Sequence, residues 1–386
     1  MMEITRDIQY VGVNDYEVDL FEGMYVVPNG MAYNSYVIMD EKIAILDTVD
    51  EGFLDTWLMN IRRILDNQVP DYLIVQHMEP DHSAGIIRLI KEYPGITVVA
   101  SERAFVMMMN YFGNAGMEKR MVITEGDTLS LGTHELIFAS AMMVHWPEVM
   151  VTYDKTDKVF FSADAFGKFG ALNAKEEWVD EARRYYIGIV GKYGIPVQKL
   201  LDKASDWDIK MICPLHGPVL KENISYYLEK YRIWSGYIPE EEGILIAYTS
   251  IYGNTKQAVF LLEEELKNLG YQNVVIKDLA RDDRTEVVAD AFRYSKLVLA
   301  TTTYNVGLFP FMRDFIHYLT DRNFSNRKVA FIENGSWMPI AEKLMKDMLK
   351  DCKDLCFAKN TVKIISALNE ENILQIKNLA KELSEN

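Results

Sequence analysis

Four of the six histidines in this 386-residue chain fall into one ordered series with three acids. The series is His77-x-Glu79-x-Asp81-His82, then His145, Asp164 and His216. Imidazole nitrogens and carboxylate oxygens are the donors of choice for divalent metals, and seven of them suit two cations. His77 and Glu79, two residues apart, point the same way from an extended loop and can reach one metal. Asp81 and His82 can reach a second across the site. Asp164 has two oxygens and can bridge, as in centres whose two metals sit ~3.5–4 Å apart. The set contains no thiolate, and imidazole with hard carboxylates suits iron or manganese better than structural zinc. His134 and His317 lie outside the series and are read as ordinary polar residues. Cys213 is read as a small apolar neighbour of the sheet.

A second set of residues suits a phosphate and a flat ring. Thr249-Ser250-Ile251-Tyr252-Gly253-Asn254-Thr255 follows an apolar strand and opens a helix. Hydroxyls and backbone N–H groups at a helix N-terminus form an anion nest. The loop has neither the Gly-Lys-Ser/Thr ending of an ATP-binding loop nor a G-x-G-x-x-G dinucleotide turn. A hydroxyl-rich loop without lysine fits a single phosphomonoester. Two later loops pair aromatics with small polar residues: Thr302, Thr303, Tyr304, Asn305 and Gly307 in one, Asn334-Gly335-Ser336-Trp337 in the other. Stacking faces and backbone hydrogen bonds are what an isoalloxazine ring requires. Together the three loops point to FMN.

The elements that must position these residues divide in two. Up to residue 240, short apolar segments bounded by turn residues read as strands, among them Tyr36–Met39, Lys42–Leu46, Leu73–Gln76, Glu135–Ala139, Val149–Tyr153, Lys158–Phe161 and Ile209–Ile212. Leu73–Gln76 precedes His77, Lys158–Phe161 precedes Asp164, and Ile209–Ile212 precedes His216, which puts the acids and imidazoles on loops at strand ends. Ile224–Ser235 reads as a closing helix. Pro239–Glu242 is polar and suits a linker. From 243 to 386, strands at Ile244–Tyr248, Val274–Lys277, Leu297–Ala300, Val329–Ile332 and Val362–Ile365 alternate with amphipathic helices. That alternation predicts a parallel sheet covered on both faces, with the three loops around its switch point.

Composition sets outer bounds. At 49% hydrophobic and 25% charged residues, each half can bury a core. The net charge of −16 argues against nucleic acid or an anionic membrane surface as partner. The three cysteines give no disulfide framework and no CxxC pair, and Cys352 and Cys356 are read as ordinary thiols. With no signal-type N-terminus and no apolar run near the ~18 residues of a membrane span, the expected location is the cytoplasm.

The series from His77 to His216 resembles the metallo-β-lactamase-like domain, an αβ/βα sandwich. Hydrolases of that superfamily have histidine where this chain has Glu79. The Glu79 form resembles the flavodiiron proteins, or A-type flavoproteins. That resemblance implies one iron held by His77, Glu79 and His145, a second by Asp81 and His216, and Asp164 bridging; His82 matches a position that is not a ligand in every member. From Gly243 onward the chain resembles flavodoxin, with Thr249–Thr255 as phosphate loop and Tyr304 and Trp337 flanking the ring. The joined resemblance covers nearly the whole chain. It implies a reductase that takes electrons from rubredoxin or a similar donor, through FMN, to two iron ions that reduce O2 to water or NO to N2O. The chain ends in a helix without CxxC pairs, so a separate donor is expected. The family also implies a head-to-tail homodimer or a dimer of dimers. Two other readings use the same residues: a dinuclear metallohydrolase with an accessory flavodoxin domain, and a redox-sensing module with a closed, structural metal site.

Overall fold

A computed structural model describes residues 3–114 and 118–385. The chain divides into two compact units, the second beginning at Ile233, so the helix Ile224–Ser235 spans the division. Glu241 and Glu242, expected in a linker, instead open the strand Glu241–Tyr248. Their charges and backbone find local partners: Arg293 Nε donates to Glu241 Oε1 at 2.9 Å, and Asn273 Nδ2 donates to the Glu242 carbonyl at 2.7 Å.

The first unit packs two sheets face to face. One runs in the order Ile8–Tyr10, Tyr36–Ile38, Ala44–Leu46, Tyr72–Ile74, Thr97–Ala100, Arg120–Val122. Its last four strands are mutually parallel. The other runs Thr128–Ser130, Glu135–Ser140, Met150–Asp154, Val159–Phe161, Met211–Cys213, antiparallel up to a final parallel pair. Period-two alternation sends successive side chains to different cores. Ala44, Leu46, Tyr72, Ile74 and Val99 meet Phe138, Met150, Val159 and Phe161 between the sheets. Ile45, Leu73 and Val98 point outward and pack with Trp57, Leu58 and Ile61 of the helix Leu54–Leu65 and with Phe105 and Met108 of Glu102–Phe112. Both faces of this sheet are therefore apolar, and only its loops are free to carry polar chemistry.

The second unit is a parallel sheet in the order Val274–Asp278, Glu241–Tyr248, Tyr294–Tyr304, Lys328–Asn334, Val362–Ile364. In order of appearance this is 2-1-3-4-5, a doubly wound order with its switch point beside the first strand. Ile244, Ile246, Val298 and Ile332 pack against Ala258, Leu262, Ile376 and Leu379 of the helices Asn254–Asn268 and Glu370–Ser384. The residues between them, Leu245, Leu297, Leu299 and Phe331, are buried on the other face. A helix over Arg284–Arg293 lies where the apolar spacing alone marks none; Asp283 caps it by accepting from Thr285 N at 2.7 Å, and Val287, Val288, Ala291 and Phe292 are buried.

Candidate active site

The seven sequence-predicted metal donors converge at the ends of the strands of the first unit. Leu73–Val75 is buried and runs straight into His77. Glu79 is extended and Pro80 starts a short helix through Ser83, a position that needs no backbone N–H. That turn brings Asp81 and His82 back toward the loop they came from. Thr48 Oγ1 donates to the His82 carbonyl at 2.8 Å and Ser83 Oγ to the Met78 carbonyl at 2.9 Å, which fixes the turn. Asp164 follows Val159–Phe161, and His216 follows Met211–Cys213.

The donors form two groups that share one carboxylate. His77, Glu79, His145 and Asp164 make the first, and Asp81, His82 and His216 the second. Asp164 Oδ2 lies 3.2 Å from His77 Nε2 and 3.1 Å from His145 Nε2. Its other oxygen, Oδ1, lies 3.5 Å from His82 Nε2 and 3.7 Å from His216 Nε2. Glu79 Oε2 is 3.2 Å from His77 Nε2 and 3.0 Å from His145 Nε2. In the second group Asp81 Oδ2 is 3.3 Å from His82 Nε2 and 3.4 Å from His216 Nε2. Such separations are the roughly 3 Å edges expected when ligands sit about 2.1 Å from a common cation.

The electrostatics call for cations. Both oxygens of Asp81 and both of Asp164 are buried without a hydrogen-bond donor among the described residues. A buried carboxylate left so is costly unless a cation meets it. Burial, with the charges of Glu79 and Asp164, drives Asp81 well above the usual carboxylate range. Burial would do the same to Asp164, but His77 and His145 beside it hold it well below. His145 is pushed up to about 9, because Asp164 and Glu79 outweigh the burial that lowers it. Protons thus occupy positions that divalent metals take over on binding.

Several residues that the sequence pattern did not single out hold these donors in place. Glu148, fully buried, accepts from His77 Nδ1 and from Met78 N, each at 2.9 Å. His216 Nδ1 donates to the Ala32 carbonyl at 2.8 Å. Each of these bonds turns Nε2 inward, the usual outer-shell arrangement of a metal-binding histidine. Asp47, in the left-handed region at φ 54°, accepts from Gln76 N at 2.7 Å and from Gln76 Nε2 at 3.0 Å. Asn34 Nδ2 donates to the Pro214 and Gly217 carbonyls at 2.8 Å each, clamping the His216 loop. The one sequence signal for Glu148 was its place in the His145-Trp146-Pro147-Glu148 turn. Of the aromatics near the series, Trp146 lies 5.2 Å from the His77 ring and Tyr185 5.5 Å from that of His216, whereas Tyr186 packs on Tyr231. Cys213 is in the core between the sheets.

In the second unit the three predicted loops line one cavity of about 560 Å³, within the usual range for cofactor sites. Ser250, Ile251, Tyr252, Asn254 and Thr255 come from the first loop, Thr302 to Asn305 from the second, and Asn334 to Trp337 from the third. Strand register makes the last two neighbours, since Thr302 pairs with Asn334. Gly253, at φ 93°, turns the first loop into the helix, and Ser250 Oγ accepts from Gly253 N at 3.1 Å and Lys256 N at 3.2 Å. The hydroxyls of Thr255 and Thr302 are buried at the cavity wall without a partner among the described residues, as suits a polar ligand. Thr249, Gly253 and Gly307 do not line the cavity; Thr249 Oγ1 instead meets Thr301 Oγ1 at 2.6 Å behind it. Val306, Met338 and Ser366 join the lining without having been marked by the motifs.

Residues 31–217 match the ODP family of β-lactamases. The anaerobic nitric oxide reductase flavorubredoxin of Vibrio vulnificus is 28% identical over 87% of this chain and 70% of its own. The rubredoxin oxygen:oxidoreductase of Desulfovibrio gigas superposes with a TM-score of 0.91 at 23% identity, over 99% of this chain and 97% of that one. The flavodiiron protein of Giardia intestinalis does so at 0.90 and 23%, over 99% and 96%. Over nearly its whole length the chain has the fold of the flavodiiron proteins. An uncharacterised protein of Methanocaldococcus jannaschii, 27% identical over 100% of this chain and 98% of its own, shares the full length. The flavodiiron fold thus spans both units, from the β-lactamase-like sandwich to the flavodoxin-like sheet.

Proposed function

We propose that this chain is a flavodiiron protein, an oxidoreductase that reduces O2 to water, NO to N2O, or both, with electrons from rubredoxin or a similar donor. The observation that carries the proposal is the division of Asp164: one oxygen faces each donor group, so one residue serves two metals. His77, Glu79 and His145 would hold one iron, Asp81 and His216 the other, with Asp164 between them and His82 beside the second. FMN would lie in the cavity of the second unit, its phosphate on the loop from Thr249 to Thr255 and its ring against Tyr304 and Trp337. When bound, FMN would supply one-electron transfer and the two irons a site for reducing a diatomic ligand.

The residues of the chain supply the setting for that chemistry. Phe21, Tyr33 and Tyr185 surround the His216 ring at 5.3, 6.0 and 5.5 Å and keep this side of the centre apolar. A small uncharged gas loses little on entering such surroundings, whereas bulk water is kept away. The donor groups and the cavity belong to separate units, and electrons cross only short gaps. A head-to-tail homodimer, or a dimer of dimers, would set the FMN of one chain beside the irons of another. The cytoplasm suits the three free cysteines and a reduced donor.

Zinc also accepts this nitrogen and oxygen donor set, which keeps a metallohydrolase as the second reading. The test is anaerobic: reduced rubredoxin is supplied to the purified, iron- and FMN-loaded protein, and added O2 and NO are followed on an electrode. Rapid loss of either gas is expected. Failure to consume both, by protein that retains iron and FMN, would overturn the proposal, and zinc in place of iron in freshly purified protein would favour the hydrolase.

A further inference from the structure

A third group of metal-competent side chains lies away from the active site. The strand Val159–Phe161 leads to Asp164 at one end; at the other end lies the turn Asp154 to Asp157. His134, Asp154 and Asp157 meet there with ligand atoms within 4.8 Å of one another. His134 is 1% exposed and Asp154 fully buried. His134 Nδ1 donates to Asp154 Oδ2 at 3.0 Å. In the neutral ring that bond puts the lone pair on Nε2, which is buried and has no hydrogen-bond partner among the described residues. Facing Nε2, 3.8 Å away, is Oδ2 of Asp7, whose side chain is 44% exposed. Asp40 adds a further carboxylate by accepting from His134 N at 2.6 Å.

The wiring repeats that of His77, where Glu148 takes Nδ1 and the free Nε2 faces carboxylate. A cation about 2.0–2.2 Å from both an imidazole nitrogen and a carboxylate oxygen spans 3.8 Å at an open angle of roughly 130°. We propose that His134 Nε2 and Asp7 bind a divalent cation of the zinc class, with Asp154 as the carboxylate that orients the imidazole and water completing the shell. The aspartates around His134, Asp154 first, also raise its pKa, so the cation would bind by displacing a proton from the ring. The cation would tie the segment before the first strand to the hairpins that carry Asp40, His134 and Asp154. Its role would be to clamp one sheet to the other, with no part in gas reduction.

The test uses holoprotein carrying iron and FMN, equilibrated with zinc chloride, desalted, and assayed for zinc and iron by mass spectrometry. Isothermal titration with zinc chloride gives the affinity. One zinc per chain above the untreated protein is expected, with iron unchanged. His134→Gln should abolish this uptake, and Asp7→Asn should weaken it at least about tenfold, as loss of a ligand or its outer-shell partner does. Asp7 sits on an exposed segment, so its variant carries the test even if His134→Gln does not fold. No added zinc, zinc gained only in exchange for iron, or equal affinity in wild type and Asp7→Asn would each overturn the proposal.

Discussion

The proposed metal centre and the proposed flavin cavity differ in how their polar groups are held before any ligand arrives. In the first unit the ligand side chains are buried or nearly so, and a layer behind them fixes their direction: Glu148 behind His77, Ala32 behind His216, Asp47 behind the strand end that carries His77. In the second unit the base of the cavity is built of buried hydroxyls, but its rim stands in solvent. Trp337 is 88% exposed and Tyr252 91%. The centre is thus preorganised for charge, which tolerates little error in position. On the proposed reading, the cavity holds fixed hydroxyls ready for a phosphate and leaves the aromatics that would face the ring to be ordered by what binds.

The contrast breaks most completely at Asp164. Asp164→Asn removes the charge that both donor groups share, leaving Asp81 and Glu79 as the carboxylates facing two cations. Iron should fall below one per chain, and gas reduction should drop by more than the roughly 10–100-fold typical of an outer-shell change. FMN content should stay as in wild type, because its cavity belongs to the other unit. Retention of two irons on elemental analysis would show that Asp164 does not bridge.

Glu148 tests the layer behind the ligands. Glu148→Ala leaves His77 Nδ1 without its acceptor and frees the ring to turn, so iron affinity should weaken about 10–100-fold. Glu148→Gln keeps one acceptor oxygen and should recover a large part of that loss. A competition titration with an iron chelator measures both. Equal behaviour of the alanine and glutamine variants would mean that Glu148 acts by filling space.

How much of this was legible in the sequence follows the same division. Histidine is scarce in this chain, so four in one ordered series carried a strong signal, and all of them come together in space. The βαβ alternation after Gly243 likewise predicted the doubly wound sheet, because strands buried on both faces read as continuous apolar runs. Glu148 and Asp47 escaped because acids are common, and nothing local tells a fully buried carboxylate from a solvated one. Asn34 escaped for a topological reason: it contacts Pro214 and Gly217 across 180 or more residues. The helix Arg284–Arg293 was hidden by a polar, charge-rich start whose cap becomes evident only in the fold.

The floor of the flavin cavity should respond to loss of a single hydroxyl. Thr255 is 1% exposed and its Oγ1 has no hydrogen-bond partner among the described residues. A hydrogen bond to a charged group contributes about 1.5–3 kcal/mol, so Thr255→Val should weaken FMN binding on the order of 10–100-fold. Riboflavin, which lacks the phosphate, should bind the variant and the wild type alike. Fluorescence titration of both flavins separates the cases, and an equal loss for riboflavin would move Thr255 away from the phosphate.

The smallest effect belongs to the rim. Trp337 has almost no contact to lose in the ligand-free protein, so Trp337→Ala should leave thermal stability unchanged. Stacking of an aromatic pair adds about 0.5–1.5 kcal/mol beyond buried area, which corresponds to roughly a 2–10-fold weaker FMN complex. The phosphate loop is untouched, so riboflavin and FMN should lose the same factor, opposite to the selective loss at Thr255. If Trp337→Ala leaves both affinities unaltered, the ring does not stack on this side chain. The exposed indole would then be better explained as a surface offered to a protein partner, and slower electron delivery from reduced rubredoxin at full flavin occupancy would be its signature.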